Sequence, residues 1–106
     1  MNDHEMALRL GFTAVHQEDE REVTGVYCCD LLSVAMARAK TDGAWVTVIG
    51  NANAVAVASL TDVACIILAE GYSFDETAVA AAKGKVSLYR SSEPVFETAL
   101  YVNGLL

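Results

Sequence analysis

Three short apolar runs, each followed by a polar break and a segment rich in Ala and Val, dominate the chain from Ala44 to Arg90. The runs occupy residues 44–49, 64–68 and 86–89. Their apolar residues do not alternate with polar ones, which is typical of strands covered on both faces, as in a parallel sheet. The Ala-rich segments between them predict the helical crossovers that parallel strands require. The pattern therefore predicts an α/β fold.

The rest of the chain supplies two more strands and three more helices. We predict strands over residues 12–16, 23–29, 44–49, 64–68 and 86–89, and helices over residues 3–10, 31–40, 54–60, 73–83 and 92–104. The segment 54–60 is rich in β-branched Val and also fits a strand, but its Ala content and the need for a crossover favour a helix. We expect one domain over residues 1–106, a three-layer α/β/α structure with a small mixed, mostly parallel sheet.

Helix ends carry the usual polar signals. Four residues of types that favour N-caps precede predicted helices: Asp30, Asn53, Ser73 and Ser92. In the last helix, helical spacing predicts one shared face made of Phe96, Ala99, Leu100 and Asn103.

Charge narrows the classes of partner. Seven Lys and Arg stand against 14 Asp and Glu, which gives a net charge of −7. Such a surface repels phosphate backbones and anionic lipids, so we expect no nucleic-acid and no membrane partner. The uncharged stretch 43–61 is interrupted by Gly50, Asn51 and Asn53, which leaves pieces too short to span a bilayer. Residues 1–5 lack the pattern of a secretory signal, so we expect a cytoplasmic protein with reduced thiols.

Polar residues follow the predicted strands where a ligand site is expected. In open α/β sheets, ligands bind outside the carboxyl ends of the strands. We predict a ligand site at this edge for a small polar or nucleotide-like molecule, formed by Asp30, Asn51, Asn53, Tyr72, Ser91 and Ser92. The competing interpretation is that Asp30, Asn53 and Ser92 serve only as helix caps, and the residue types fit both.

The chain carries no recognisable catalytic signature. Cys28 and Cys29 adjoin a predicted helix N-terminus, where a thiolate is stabilised, but their spacing is not that of a redox pair or a zinc site. Cys65 lies inside an apolar strand, which predicts a core residue. His4 and His16 belong to no triad-like or metal-binding pattern. We therefore expect no catalytic residues, no metal site and no cofactor.

The third helix is apolar on every side, which predicts a second covered face. One face packs on the sheet, and the opposite face still carries Ala and Val. Two-fold pairing of identical chains is the commonest way to cover such a surface. We expect a homodimer with Ala54, Ala56 and Val57 at its interface.

The stretch from Arg21 to Tyr101 resembles the DRTGG domain family. The matching segments are Arg21-Glu22-Val23-Thr24-Gly25, Cys29-Asp30-Leu31-Leu32-Ser33, Asn53-Ala54-Val55-Ala56-Val57-Ala58, Ile66-Ile67-Leu68 with Gly71, Asp75-Glu76, and Ser91-Ser92. The resemblance covers about three quarters of the chain, and it rests on the order and spacing of these segments. It implies a fold similar to the N-terminal domain of HPr kinase/phosphorylase and a regulatory function without established chemistry. The pattern is closest to stand-alone members found near iron hydrogenase genes in anaerobic bacteria.

Taken together, the sequence predicts a non-catalytic regulatory or ligand-sensing module that acts as a homodimer. One alternative is a structural interaction domain that docks on a larger enzyme, for which the resemblance suggests a hydrogenase. A second alternative is a small enzyme that uses Cys28 or Asp30.

Overall fold

The computed structural model describes all 106 residues and contains five helices and five strands. The helices are α1 (Asp3–Leu10), α2 (Leu32–Arg38), α3 (Ala52–Thr61), α4 (Glu76–Ala82) and α5 (Val95–Gly104). The strands are β1 (Thr13–His16), β2 (Gly25–Cys28), β3 (Gly43–Thr47), β4 (Cys65–Leu68) and β5 (Ser87–Arg90). The predicted α/β class is confirmed. None of the five helices combines the length and the apolar character that crossing a bilayer requires.

All five strands form one mixed sheet in the order β1-β5-β4-β3-β2. Strands β2 to β5 run parallel, and β1 pairs antiparallel with β5. Consecutive parallel strands are neighbours in the sheet, as short crossovers favour. The sheet is therefore mostly parallel, as the uninterrupted apolar runs predict.

Helices cover both faces of the sheet, which gives the predicted three layers. Side chains alternate between the faces along each strand. Trp45, Ile66 and Leu88 are fully buried against the layer formed by α2, α3 and α4. Their sequence neighbours Val46, Ile67 and Tyr89 point the other way and pack with buried residues of α1 and α5.

Helix α3 obtains most of its cover from neighbouring helices of the same chain. It packs between α2 and α4, and this arrangement buries Ala54 and Val57 while Ala56 stays exposed. Two of the three residues predicted at a dimer interface therefore lie inside the monomer. The sequence left open whether another helix or a second chain covers the outer face of α3, and the structure shows that α2 and α4 cover much of it.

Helix α5 presents to solvent three of the four residues that its sequence pattern predicts on one face, whereas the fourth, Ala99, is half-buried against the core. Phe96 is 69% exposed and Leu100 is 52% exposed, and Asn103 is exposed as well. The buried face carries Thr98 and Val102 instead. A polar Thr98 is tolerated there because its hydroxyl lies 2.8 Å from the Ser91 hydroxyl, so the buried polar group has a partner.

Several helix caps differ from the predicted ones. Asn51 caps α3, because its side chain accepts from Ala54 N at 3.1 Å, and Asn53 lies inside the first turn. Asp75 caps α4 in the same way, in place of Ser73. At the start of α5, no side chain of the cap residue bonds the helix. The carboxylate of Glu70 accepts there from Val95 N at 2.8 Å, so a distant loop performs the role predicted for Ser92.

Arg21 joins the turns that lead into β3 and β4. Its guanidinium donates to the carboxylates of Asp42 and Asp62. It also donates to the main-chain oxygens of Asp62 and Val63, at 3.0 Å each. Burial alone would lower the pKa of Arg21, but the hydrogen bonds to the two carboxylates raise it above its usual value. Both aspartates have left-handed backbone conformations, with φ of 63° and 59°.

The buried carboxylate of Asp3 connects the main chain of Arg21 to Tyr89 in β5. Asp3 is fully buried. One of its oxygens accepts from Arg21 N at 2.7 Å, and the other accepts from the Tyr89 hydroxyl at 2.7 Å. Burial, followed by this hydrogen bond, raises the pKa of Tyr89. Since both oxygens of the carboxylate have partners, the buried charge is accommodated.

Replacing Arg21 with Lys is expected to lower the free energy of unfolding by about 1–3 kcal/mol, because an ammonium group cannot reproduce the planar set of donors. Urea unfolding at neutral pH measures the change. The matched control is Arg9→Lys at an exposed position in the last turn of α1, expected to shift stability by less than about 0.5 kcal/mol. Equal effects of the two substitutions would contradict a structural role for the Arg21 hydrogen bonds.

Candidate functional site

The carboxyl edge of the parallel strands, where the sequence predicts a ligand site, is largely closed by the chain itself. Strands β2 to β5 follow one another in a single direction, and α2, α3 and α4 contribute to one core on one face. Ligand crevices of α/β sheets form where the strand order reverses, and this parallel run has no such point. The fold therefore does not open a large cleft at this edge.

Gly50 shows how tightly the loops after β3 and β4 meet. A Cβ atom at this position would lie 2.9 Å from the Ser73 carbonyl oxygen and 3.2 Å from Phe74 Cα. Asp75 N also donates to Gly50 O at 2.9 Å. The loop that follows β3 thus packs against protein.

Asp30 joins two strands instead of capping α2. One of its carboxylate oxygens accepts from the Thr47 hydroxyl at 2.8 Å and from Val48 N at 2.9 Å. The cap position of α2 is Leu31, which makes no side-chain bond to the helix. The predicted cap is therefore wrong. The buried Thr47 hydroxyl at the end of β3 needs a partner, and the nearby carboxylate supplies it.

The other residues of the predicted site fall into two groups. Asn51 and Asn53 lie at the start of α3, where Asn51 is engaged as a cap. Tyr72, Ser91 and Ser92 lie near the end of β5: the main-chain oxygen of Tyr72 accepts from Arg90 Nε at 2.8 Å. The structure brings the second group together. Asp30 does not belong to this group, because its carboxylate is hydrogen-bonded to Thr47 at the end of β3.

A small polar cavity lies beside the second group. Its volume is about 130 Å³, and its lining is Gly11, Thr13, Gly71, Arg90, Ser91 and Ser92, with no hydrophobic residue. This volume is below the range of about 300–1,000 Å³ typical of pockets for drug-sized ligands. The cavity therefore suits an ion or a small acid and is too small for a whole nucleotide.

Arg90 is the residue of this cavity that sequence reasoning missed. Its guanidinium is oriented by two main-chain oxygens, those of Tyr72 and Gly71, and it forms no ion pair with any carboxylate. Ser91 is buried and accepts from Glu93 N at 3.1 Å, whereas Ser92 is exposed. Arg90 belongs to no sequence motif. The one feature of the sequence that could have indicated it as a site residue is its position at the end of an apolar strand.

The thiols lie in three different environments. Cys65 is fully buried, as its strand predicts, and burial raises its pKa. Burial and the neighbouring charge of Asp30 raise the pKa of Cys28. Cys29 Sγ lies 3.4 Å from the Leu31 carbonyl oxygen. A raised pKa lowers the thiolate fraction at neutral pH, so Cys28 is not activated by the start of α2.

Both histidines contact Glu18, a convergence that their sequence positions do not reveal. His4 Nε2 lies 2.8 Å from the main-chain oxygen of Glu18, and His16 is hydrogen-bonded to its carboxylate. Gly84 N donates to the same carboxylate at 2.9 Å. The hydrogen bond from Gly84, followed by that from His16, lowers the pKa of Glu18. Glu18 therefore anchors the turn after β1.

Comparison with models of known protein families gave no match, and comparison with curated proteins gave none either. The resemblance to the DRTGG family therefore stays a prediction from the segments quoted above. No group of three or more His, Cys, Asp and Glu side chains is arranged to hold a metal ion.

Removing the Asp30 carboxylate with Asp30→Ala is expected to lower the free energy of unfolding by about 1–3 kcal/mol, because the buried Thr47 hydroxyl and Val48 N lose their acceptor. In a double-mutant cycle with Thr47→Val, we expect a coupling energy of at least about 0.5 kcal/mol. Chemical unfolding of the four proteins measures it. Asn53→Ala, at an exposed position in the first turn of α3, is the control with little expected effect. Zero coupling would point back to a capping role.

Proposed function

We propose that this chain is a non-catalytic regulatory module that senses a small oxyanion at the carboxyl edge of its sheet. The observation that supports the proposal is the orientation of Arg90, held by two carbonyl oxygens beside a cavity lined only by Gly, Thr, Ser and Arg. In a protein with a net charge of −7, a guanidinium without a carboxylate partner is a natural anion site.

The cavity sets the chemical class of the ligand. Arg90 provides charge and directed N–H donors, and the hydroxyls of Thr13 and Ser92 are further donors at the cavity wall. A phosphate or carboxylate group matches this donor set and the volume of about 130 Å³. Of the predicted ligand residues, the proposal retains Ser91 and Ser92 as lining and Tyr72 through its main chain, and it assigns Asp30 and Asn51 to structure.

The resemblance to the DRTGG family supports a regulatory role, and we propose membership of that family and a cytoplasmic location with it. Binding without turnover is part of the proposal. The raised pKa of Cys28 and the engagement of Asp30 with Thr47 both argue against the alternative of a small enzyme built on these two residues.

A second candidate function is docking on a larger protein. The outward face of α5, formed by Phe96 and Leu100, is the observation in its favour, because large apolar side chains grouped on one helix face mark many interaction surfaces. The same reasoning applies to a homodimer, which remains part of our proposal. On α3, Ala56 and Leu60 are exposed one helical turn apart, with Leu60 73% exposed.

Inorganic phosphate is expected to raise the melting temperature of the unmodified protein. At 100 times its Kd, a ligand of the folded state adds about 2.7 kcal/mol to the free energy of unfolding. Arg90→Gln should abolish the shift, measured for each variant against its own phosphate-free sample. Lys83→Gln, at an exposed position just after α4, should retain it. The same shift in Arg90→Gln and in the unmodified protein would refute this site.

Light scattering at tens of micromolar is expected to report a dimer. If α3 forms the contact, Leu60→Asp should yield monomers, because an unpaired charge would be buried at the interface. If α5 forms it, Phe96→Asp should do so instead, and each variant is the control for the other. A monomer in the unmodified protein would rule out the homodimer and leave the docking candidate.

A further inference from the structure

A larger cavity lies at the opposite end of the sheet, at the amino ends of the parallel strands. Its volume is about 330 Å³, and its lining is Thr24, Gly25, Val26, Tyr27, Arg38, Lys40, Gly43, Ala44 and Val63. This volume falls at the lower end of the range typical of pockets for small organic molecules. Nothing in the proposed function uses this cavity, which shares no residue with the one beside Arg90.

Two cations without carboxylate partners border this cavity. Arg38 ends α2 and Lys40 follows it, and neither forms an ion pair. The carboxylates of Asp42 and Asp62, at the same edge of the sheet, are bound by Arg21 instead. The positive charge of Arg38 and Lys40 is therefore left for a ligand.

One wall of the cavity is aromatic and apolar. Tyr27 is half-buried and packs with Val63 on the face covered by α2, α3 and α4, whereas Val26 and Ala44 face the opposite layer. Burial, followed by a hydrogen bond with Cys29, raises the pKa of Tyr27, while the charge of Arg38 acts in the opposite direction. Tyr27 and Arg38 both line the cavity.

Gly25 leaves free space beside the cavity, whereas a Cβ atom on Gly43 would lie 3.1 Å from the Lys40 carbonyl oxygen. Gly25 and Gly43 are register partners at the start of β2 and β3. A Cβ atom on Gly25 would meet no heavy atom within 4 Å, so the missing side chain leaves free space beside the edge strand. Because Gly25 does not have a left-handed backbone, a larger residue is compatible with this position and would fill that space.

We propose that this amino-edge cavity, formed by Tyr27, Arg38, Lys40 and Gly25, binds a small aromatic anion: a planar apolar body that carries a carboxylate or a phosphate group. Tyr27 contacts the ring system. Arg38 and Lys40 bind the acidic group, Arg38 as a planar fork and Lys40 as a point charge. The site is independent of the oxyanion site at Arg90.

The test uses two probes that share this chemistry, 1-naphthoate and adenosine monophosphate, titrated into ¹⁵N-labelled protein. We expect chemical-shift changes centred on the amides of Gly25, Tyr27 and Gly43 with at least one probe. Binding of only one identifies the preferred group as carboxylate or phosphate. The uncharged analogues 1-naphthalenemethanol and adenosine should bind about tenfold more weakly or worse, since they lack the charge-assisted hydrogen bonds.

Two kinds of variant separate charge from shape. The double variant Arg38→Gln/Lys40→Gln should raise Kd about tenfold or more, and Gly25→Val should abolish binding by filling the cavity. The matched control is Lys83→Gln/Lys85→Gln, which removes two exposed cations elsewhere. Arg90→Gln should also leave this binding unchanged, so failure of the oxyanion site and failure of this one are distinguishable.

Three results would overturn the proposal. The first is the absence of shift changes with both probes at millimolar concentration, and the second is a set of changes centred away from the amino-edge cavity. The third is equal affinity of the double variant and the unmodified protein. Thermal unfolding of each variant establishes that it is folded, and Gly25→Val supplies a folded cavity-blocked variant should the charge variant unfold.

Discussion

The hydrogen bonds of Arg21 are the constraint on which the amino edge of the sheet depends. Parallel strands are joined by helices and have no tight turns to set their register, so their starting points must be fixed by other contacts. Here one guanidinium bonds Asp42 before β3 and Asp62 before β4. Main-chain bonds extend the arrangement: Asp42 N donates to Asp62 O, and Thr24 N before β2 donates to Asp42 O, both at 3.0 Å.

The ion pairs of Arg21 also bear on which basic side chains at this edge have no carboxylate partner. Of the seven Lys and Arg side chains, only Arg21 forms an ion pair. Because Arg21 occupies the two aspartates at the amino edge, Arg38 and Lys40 border a cavity without an internal partner. The same residue thus stabilises the strand entries and neutralises the two aspartates nearest to the cavity that Arg38 and Lys40 border.

Much of the fold could be predicted from the sequence because the apolar runs are long and uninterrupted. Strands β3, β4 and β5 overlap the predicted ranges closely, since only a doubly covered strand tolerates such a run. The details that failed depend on contacts distant in sequence. Asp30 has the residue type of a cap, but Thr47 provides a partner that local pattern cannot reveal. Phe96 and Leu100 have helical spacing, which identifies a face but not the direction in which it points. The predicted ligand site at the carboxyl edge stays a prediction, and the parallel strands there lack the reversal of strand order at which ligands bind in other α/β sheets.

The position of β1 has a consequence for how the protein is made. Strands β1 and β2 are adjacent in sequence, yet they form the two opposite edges of the sheet. β1 pairs only with β5, and three other strands lie between them along the chain. During synthesis on the ribosome, the first strand emerges well before its partner exists. Its exposed main-chain groups remain unpaired until the last strand has been synthesised. Closing the sheet is therefore a late event for the nascent chain, and the acidic turn that follows β1 provides charge repulsion against pairing between neighbouring nascent chains.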